Sequence, residues 1–259
     1  MAGYHLCRHK TADTPFFIEN IQVSVRTIEE LAYFFGRFPA LLDETVMRKE
    51  LVQWISGEIN LPRTAIRMDE ALAEGSSKNF AMPVLKEAGL FSSRELVYVT
   101  SAYERLDAMR PVARKKAVAD ALLRCGKLSA AIETYRYVSD ALSVNAHDPE
   151  MMAACWHDRG VAEMRLMLYE EALSSFRRAM HASEKEKYRT DYLSALFIAR
   201  PFDRREQEIE NEHITEEEIL MAEELVAGAR TESAEDESYQ PPEGYLSGLT
   251  SDYHKATGL

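Results

Sequence analysis

Two stretches of this chain repeat one another, and that repetition constrains the fold more than any other feature of its 259 residues. Ala131, Tyr135 and Val138 recur as Ala172, Phe176 and Ala179, an offset of 41 residues. Ala119, Leu122 and Gly126 hold marked positions around the first set, and Trp156 and Gly160 precede the second. A period of this length in helix-favouring sequence is that of a helix pair. One such pair cannot bury both of its faces, so it stacks on neighbours. The spacing has a steric logic. Gly160 falls on the first helix of its pair, while Ala172 and Ala179 lie about two turns apart on the second. Small residues there let antiparallel helices approach near the lower end of the roughly 8–10 Å interaxial range. Trp156 and Phe176 fill the volume around that contact, which makes all of these packing positions rather than reactive groups.

Composition agrees with a helical chain. Gly (11) and Pro (9) are scarce, and apolar content of 46% beside 29% charged residues is ordinary for a soluble protein. The fold class this predicts is all-α: a short α-solenoid of helix pairs preceded by a bundle of short helices, with an acidic C-terminal segment. The net charge of −12 belongs entirely to residues 203–259; residues 1–202 balance to zero. A body without a basic field argues against nucleic acid as a ligand.

Read along the chain, residues 1–26 form an extended segment in which Ile21, Val23 and Val25 alternate with polar residues. A lone strand has nothing to pair with, so the segment is expected to lay its apolar side on the helices that follow. Residues 27–110 predict four or five short helices. Thr27 and Glu30 fit a capping box, Asp43 is placed to cap a second helix, and helices follow over 62–74, 78–88 and 94–108, the last with Ser92 and Glu95 at capping-box spacing. Residues 111–202 hold the repeats. His147-Asp148-Pro149 reads as a helix start with Asp148 as N-cap. A helix over 187–199 ends the array, residues 203–228 predict an acidic helix, and 229–259 predict a disordered acidic tail.

The segment from Ala153 to Met180 resembles the tetratricopeptide repeat, with Trp156, Gly160, Tyr169, Ala172, Phe176 and Ala179 in the family's signature places. The segment 112–139 is similar to it more weakly, with Lys115 where an aromatic is common. Arg159 and Glu163 depart from the pattern, which puts a large apolar residue at each; Met164 is a candidate for the missing bulk. Helices preceding such repeats resemble the layout of uncharacterised bacterial tetratricopeptide proteins. The resemblance implies a concave groove lined by the first helix of each pair. Groove positions would be Ala113, Lys116, Asp120, Leu123 and Arg124, then His157, Asp158, Val161, Met164 and Arg165. The family's two-carboxylate clamp needs a Lys and two Asn. Lys116 fits, but Asp120 and Asp158 stand at the asparagine places and would repel a peptide carboxylate, so that clamp is rejected.

The resemblance therefore implies a scaffold or adaptor that binds a protein or peptide in a groove, without cofactor, metal or catalysis. An oligomerising structural subunit of a cytoplasmic assembly is the alternative, with an enzyme a distant third. Glu216, Glu217 and Glu218 are also placed to dock within the chain on Arg177, Arg178, Lys185, Lys187 and Arg189, aided by apolar contacts. His5, Cys7 and His9 share one face of an extended strand but lack a fourth zinc ligand. Adjacent residues on a helix point about 100° apart, which makes His157-Asp158 a poor candidate for a hydrogen-bonded catalytic pair. Cys125 and Cys155 fall at positions expected to be buried and inert. Sparse, unpaired cysteines and the lack of a signal-like or membrane-length apolar run lead to a cytoplasmic expectation, with neither nucleic acid nor membrane as partner.

Overall fold

The computed structural model describes residues 8–145, 148–200 and 205–237, with side chains for 8–143, 148–200 and 205–231. Among these the chain is helical apart from one short hairpin, and it divides into two compact units, Met1–Ala182 and Ser183–Leu259.

The first unit begins with that hairpin. Strand β1 (Phe16–Ile18) pairs antiparallel with β2 (Val23–Val25), Phe16 opposite Val25 and Ile18 opposite Val23. The alternating run is thus half of a hairpin, not an unpaired extended segment. Its partner is the apolar run just before it, and the turn between them has no glycine: Gln22 takes the positive φ of 51°. Phe16 packs its ring 5.9 Å from Trp54, whose indole nitrogen donates to the Thr14 carbonyl at 2.7 Å. The segment before β1 is tied down by Glu29, a buried carboxylate that accepts from the Arg8 and His9 amides and pairs with the His9 ring at 2.8 Å. His5 and Cys7 lie outside the described residues.

Five helices follow: α1 (Ile28–Arg37), α2 (Lys49–Gly57), α3 (Pro62–Glu74), α4 (Ser77–Ala88) and α5 (Ser93–Ala108). Thr27 and Ser92 both form the full capping boxes their spacing predicts. Asp43 does not cap α2. Its Oδ1 instead accepts from the Thr45 amide and hydroxyl, a local turn that carries the chain on to Met47 before α2 starts. Competition between an Asx turn and a cap is decided by the residues that follow. Tyr103 of α5 is fully buried and donates to the Phe35 carbonyl at 2.9 Å, tying α5 to α1. Burial pushes its phenol well above the ordinary tyrosine range.

The repeat stretch folds as α6 (Pro111–Arg124), α7 (Leu128–Asn145), α8 (Pro149–Arg165) and α9 (Tyr169–Ala182). Consecutive helices pack on one another, and α6 also lies beside α8. Ala119, Ala131, Tyr135, Val138, Ala172 and Ala179 are fully buried, and Leu122 and Phe176 nearly so. A Cβ added at Gly160 would stand 3.1 Å from the Phe176 ring, so the glycine sets how closely α8 approaches α9. Trp156 is only half-buried, held between the guanidiniums of Arg159 at 5.2 Å and Arg178 at 4.5 Å.

The 41-residue offset extends to the backbone. After α6, Gly126 turns with φ 73°, its amide bonding to the Leu123 carbonyl and that of Lys127 to Leu122. After α8, Met167 turns with φ 59°, its amide bonding to Met164 and that of Leu168 to Glu163. These are two copies of one Schellman stop, one built on glycine and the other on a residue with a Cβ.

The second unit holds α10 (Glu186–Ala199), α11 (Glu206–Asn211) and α12 (Glu216–Glu237). Helix α12 packs on α10, and Arg189 binds Glu218 together with the Glu212 and His213 carbonyls. Arg189, one of the cations expected to receive the acidic triplet, is bonded to Glu218. Helix α12 runs past residue 228, where the acidic helix was expected to end. Gly228 is the only breaker before Pro241, and one glycine costs about 1 kcal/mol, too little to stop a helix of Ala, Arg and Glu. The rest of the expected tail, 238–259, lies outside the described residues. No helix among the described residues is long and apolar enough to cross a membrane.

The two stops yield a paired test. Replacing Met167, 73% exposed, by Gly should raise stability by about 0.5–1 kcal/mol, whereas Gly126→Ala should lower it by about 1 kcal/mol or more. Urea unfolding of the two variants beside the parent measures both. A loss of stability in M167G would show that its side-chain contacts outweigh the strain of its backbone.

Candidate functional site

The first helices of the two pairs carry a compact charge cluster. Lys116 on α6 projects one turn toward Asp120 and bonds both its oxygens, at 2.8 and 3.0 Å. The same ammonium bonds Asp158 Oδ2 on α8 at 2.9 Å. Tyr135, from α7, donates its hydroxyl to Asp120 Oδ1 at 2.7 Å, and Lys116 sits 5.8 Å from its ring centre. His157 Nδ1 lies 2.9 Å from Asp158 Oδ1. The angular separation of neighbours on a helix therefore does not keep these two side chains from bonding. Asp158 sends one oxygen to Lys116 and the other to the ring beside it, and that ring is steadied by an edge contact with Phe176 at 5.6 Å.

The electrostatics follow from these contacts. Burial pushes the Asp158 carboxyl up, but the His157 hydrogen bond and the Lys116 charge and hydrogen bond together outweigh it, so it sits below the ordinary carboxylate range. Burial also acts to lower Lys116, and its two carboxylate partners overcome that and hold it above the usual lysine range. Tyr135 is raised by burial and by the Asp120 charge. Cys155, buried beside the cluster, is pushed up to about 12 chiefly by burial, which keeps its thiol protonated and unreactive near neutral pH. Cys125 is raised by burial as well. Among the described residues no group of three His, Cys, Asp or Glu side chains is arranged to hold a metal ion.

A second bonded set lies between α8 and α9. Arg159 Nε donates to Glu163 Oε1 at 2.7 Å, and Ser175 donates to Glu163 Oε2 at 2.6 Å. Glu163 is 1% exposed. Arg159 and Glu163 thus pair with each other along α8, and Ser175 completes the set from α9. A buried carboxylate with every partner in place is tolerable, and an orphaned one is not.

At the other end of α6 a cleft of about 780 Å³ opens toward α5 and the 3-10 turn at Pro39–Leu41. Arg37, Arg105 and Arg124 line it beside Tyr98, Leu106 and Met109. Asp120 lines it too, so the charge cluster and the cleft adjoin.

Of the groove positions, Lys116, Asp120, His157 and Asp158 are drawn into the cluster. Ala113, Leu123, Val161 and Met164 are half-buried, and Arg124 and Arg165 are exposed. Arg110 adds a second link between the first helices, its guanidinium 3.2 Å from the Asp148 carboxylate that caps α8. Sequence reasoning missed Tyr135 as a polar partner and missed Arg37 and Arg105 altogether. Tyr135 stood in the repeat pattern as bulk. The two arginines belong to last turns of α1 and α5, where a cation reads as the usual complement to the helix dipole. In comparisons with family models, curated proteins and solved structures, no match is found for this chain.

The lowered Asp158 gives a pH test with a definite sign. Its charged form is favoured in the folded state, so its stabilisation is full above the unfolded carboxylate range and is lost as pH falls through about 4 toward the lowered folded value. Asp158→Asn should therefore cost about 2–4 kcal/mol at pH 7, and the gap to the parent should shrink between about pH 5 and 3. Urea unfolding across that range measures it, and a gap that stays constant with pH would contradict the assignment.

Proposed function

We propose that this chain is a non-catalytic adaptor of tetratricopeptide-like architecture that binds a partner protein or peptide along the first helices of its repeats. The supporting observation is the recurrence of one helix pair at a 41-residue offset, in core residues and in the Schellman stop. Helix pairs that repeat in this way stack, with the first helices side by side, and α6 lies beside α8. Two ion pairs, Lys116–Asp158 and Arg110–Asp148, link those helices and fix the surface they present.

That surface mixes half-buried apolar side chains, Leu123, Val161 and Met164, with the exposed cations Arg124 and Arg165. Apolar anchors rimmed by charge suit a protein partner. The two-carboxylate clamp, rejected on its missing asparagines, is unsuited for a further physical reason: Lys116 is occupied by Asp120 and Asp158 and would have to break both bonds to meet a peptide carboxylate.

The test is capture of the native partner by the full chain and by a variant carrying Val161→Glu and Arg165→Glu, both on α8. Recovery should fall about tenfold or more in the variant while its melting temperature stays within a few degrees of the parent. Equal recovery by a folded variant would place binding on another face and overturn this reading.

A further inference from the structure

The arginine cleft carries the adaptor reading further, since it specifies partner chemistry. Arg37, Arg105 and Arg124 come from three separate helices, and none has a carboxylate or hydrogen-bond partner among the described residues. Nearby acids are committed elsewhere. Asp120 is held by Lys116 and Tyr135, Glu104 pairs with Lys78 at 3.1 Å, and Asp107 with Arg114 at 3.8 Å. Each arginine stands in the last turn of its helix, which accounts for a cation at each place by dipole alone. It does not account for three of them meeting in one cleft.

The walls between the cations are apolar. Tyr98 and Met109 are 61% and 40% exposed there, more than such side chains usually leave to water, and Leu106 lies behind them. A cleft of about 780 Å³ is within the size range of ligand sites. Three cations with apolar side chains among them suit a ligand that carries both carboxylates and apolar groups, as a peptide does, better than a bare phosphate ion, which has no apolar part to set against Tyr98, Leu106 and Met109. We infer that this cleft takes an acidic, partly apolar peptide segment of a partner protein, its carboxylates held by Arg37, Arg105 and Arg124.

The inference rests on the adaptor reading and adds the sign and texture of the bound segment. Fluorescence anisotropy with the full chain tests it, using a short labelled peptide of Glu and Leu and its Gln-for-Glu counterpart. The Glu peptide should bind about tenfold or more tighter than the Gln peptide and weaken as salt rises. The variant R37Q/R105Q/R124Q, its melting temperature unchanged, should lose about tenfold or more, whereas R63Q on α3, exposed and outside the cleft, should bind like the parent.

Equal binding of the two peptides, undiminished binding by the triple variant, or displacement by inorganic phosphate at low millimolar concentration would each overturn the assignment. Partner capture separates this inference from its foundation. If V161E/R165E abolishes capture and R37Q/R105Q/R124Q leaves it intact, the adaptor reading stands and the cleft assignment fails.

Discussion

Two carboxylates on facing helices would repel one another, and one ammonium between them reverses that. Lys116 bonds Asp120 on its own helix and Asp158 on α8, and this junction links the first helices of the two repeat stretches. At an effective dielectric near 20, opposite charges 4 Å apart attract by about 4 kcal/mol, and desolvation offsets much of that. The net gain from such a triad is modest. The cost of losing its centre is larger, because two partly buried carboxylates would then stand near each other with only Tyr135 and His157 to offset them. This is how a polar contact fixes register: by making every other arrangement expensive.

The neighbours complete the junction. Tyr135 takes a lone pair of Asp120 and His157 takes one of Asp158, so a member of each pair's second helix or an adjacent ring stabilises each carboxylate. Cys155 lies buried beneath and stays a protonated thiol, contributing volume without competing charge. Between α8 and α9 the Arg159–Glu163–Ser175 set solves the same problem at a different place. The first set ties adjoining helices through the Lys116–Asp158 pair, the second through the Ser175 hydroxyl on a carboxylate whose ion pair is internal to α8.

The elements with local rules were legible before the structure. Thr27 and Ser92 cap where their boxes predict, Asp148 and Pro149 start α8, and the small residues of the repeat are buried. What escaped depends on contacts between elements. The β1–β2 hairpin has a turn without the glycine that would have announced it, so strand alternation looked unpartnered. Asp43 had a cap's chemistry and spent it on Thr45. The resemblance implied one groove for Lys116, Asp120 and Asp158 but did not pair them with each other, because a repeat pattern gives faces and not rotamers. Arg37 and Arg105 carried no signal at all, since each looks locally like a dipole complement.

A double-mutant cycle on Lys116→Met and Asp158→Leu reaches the central claim, that this ion pair couples the two repeat pairs. By urea unfolding each single change should cost about 2–4 kcal/mol, and the double variant should cost less than their sum by about 1 kcal/mol or more. Additivity within about 0.5 kcal/mol would mean that the two side chains act independently, and that something other than their charges holds α6 beside α8.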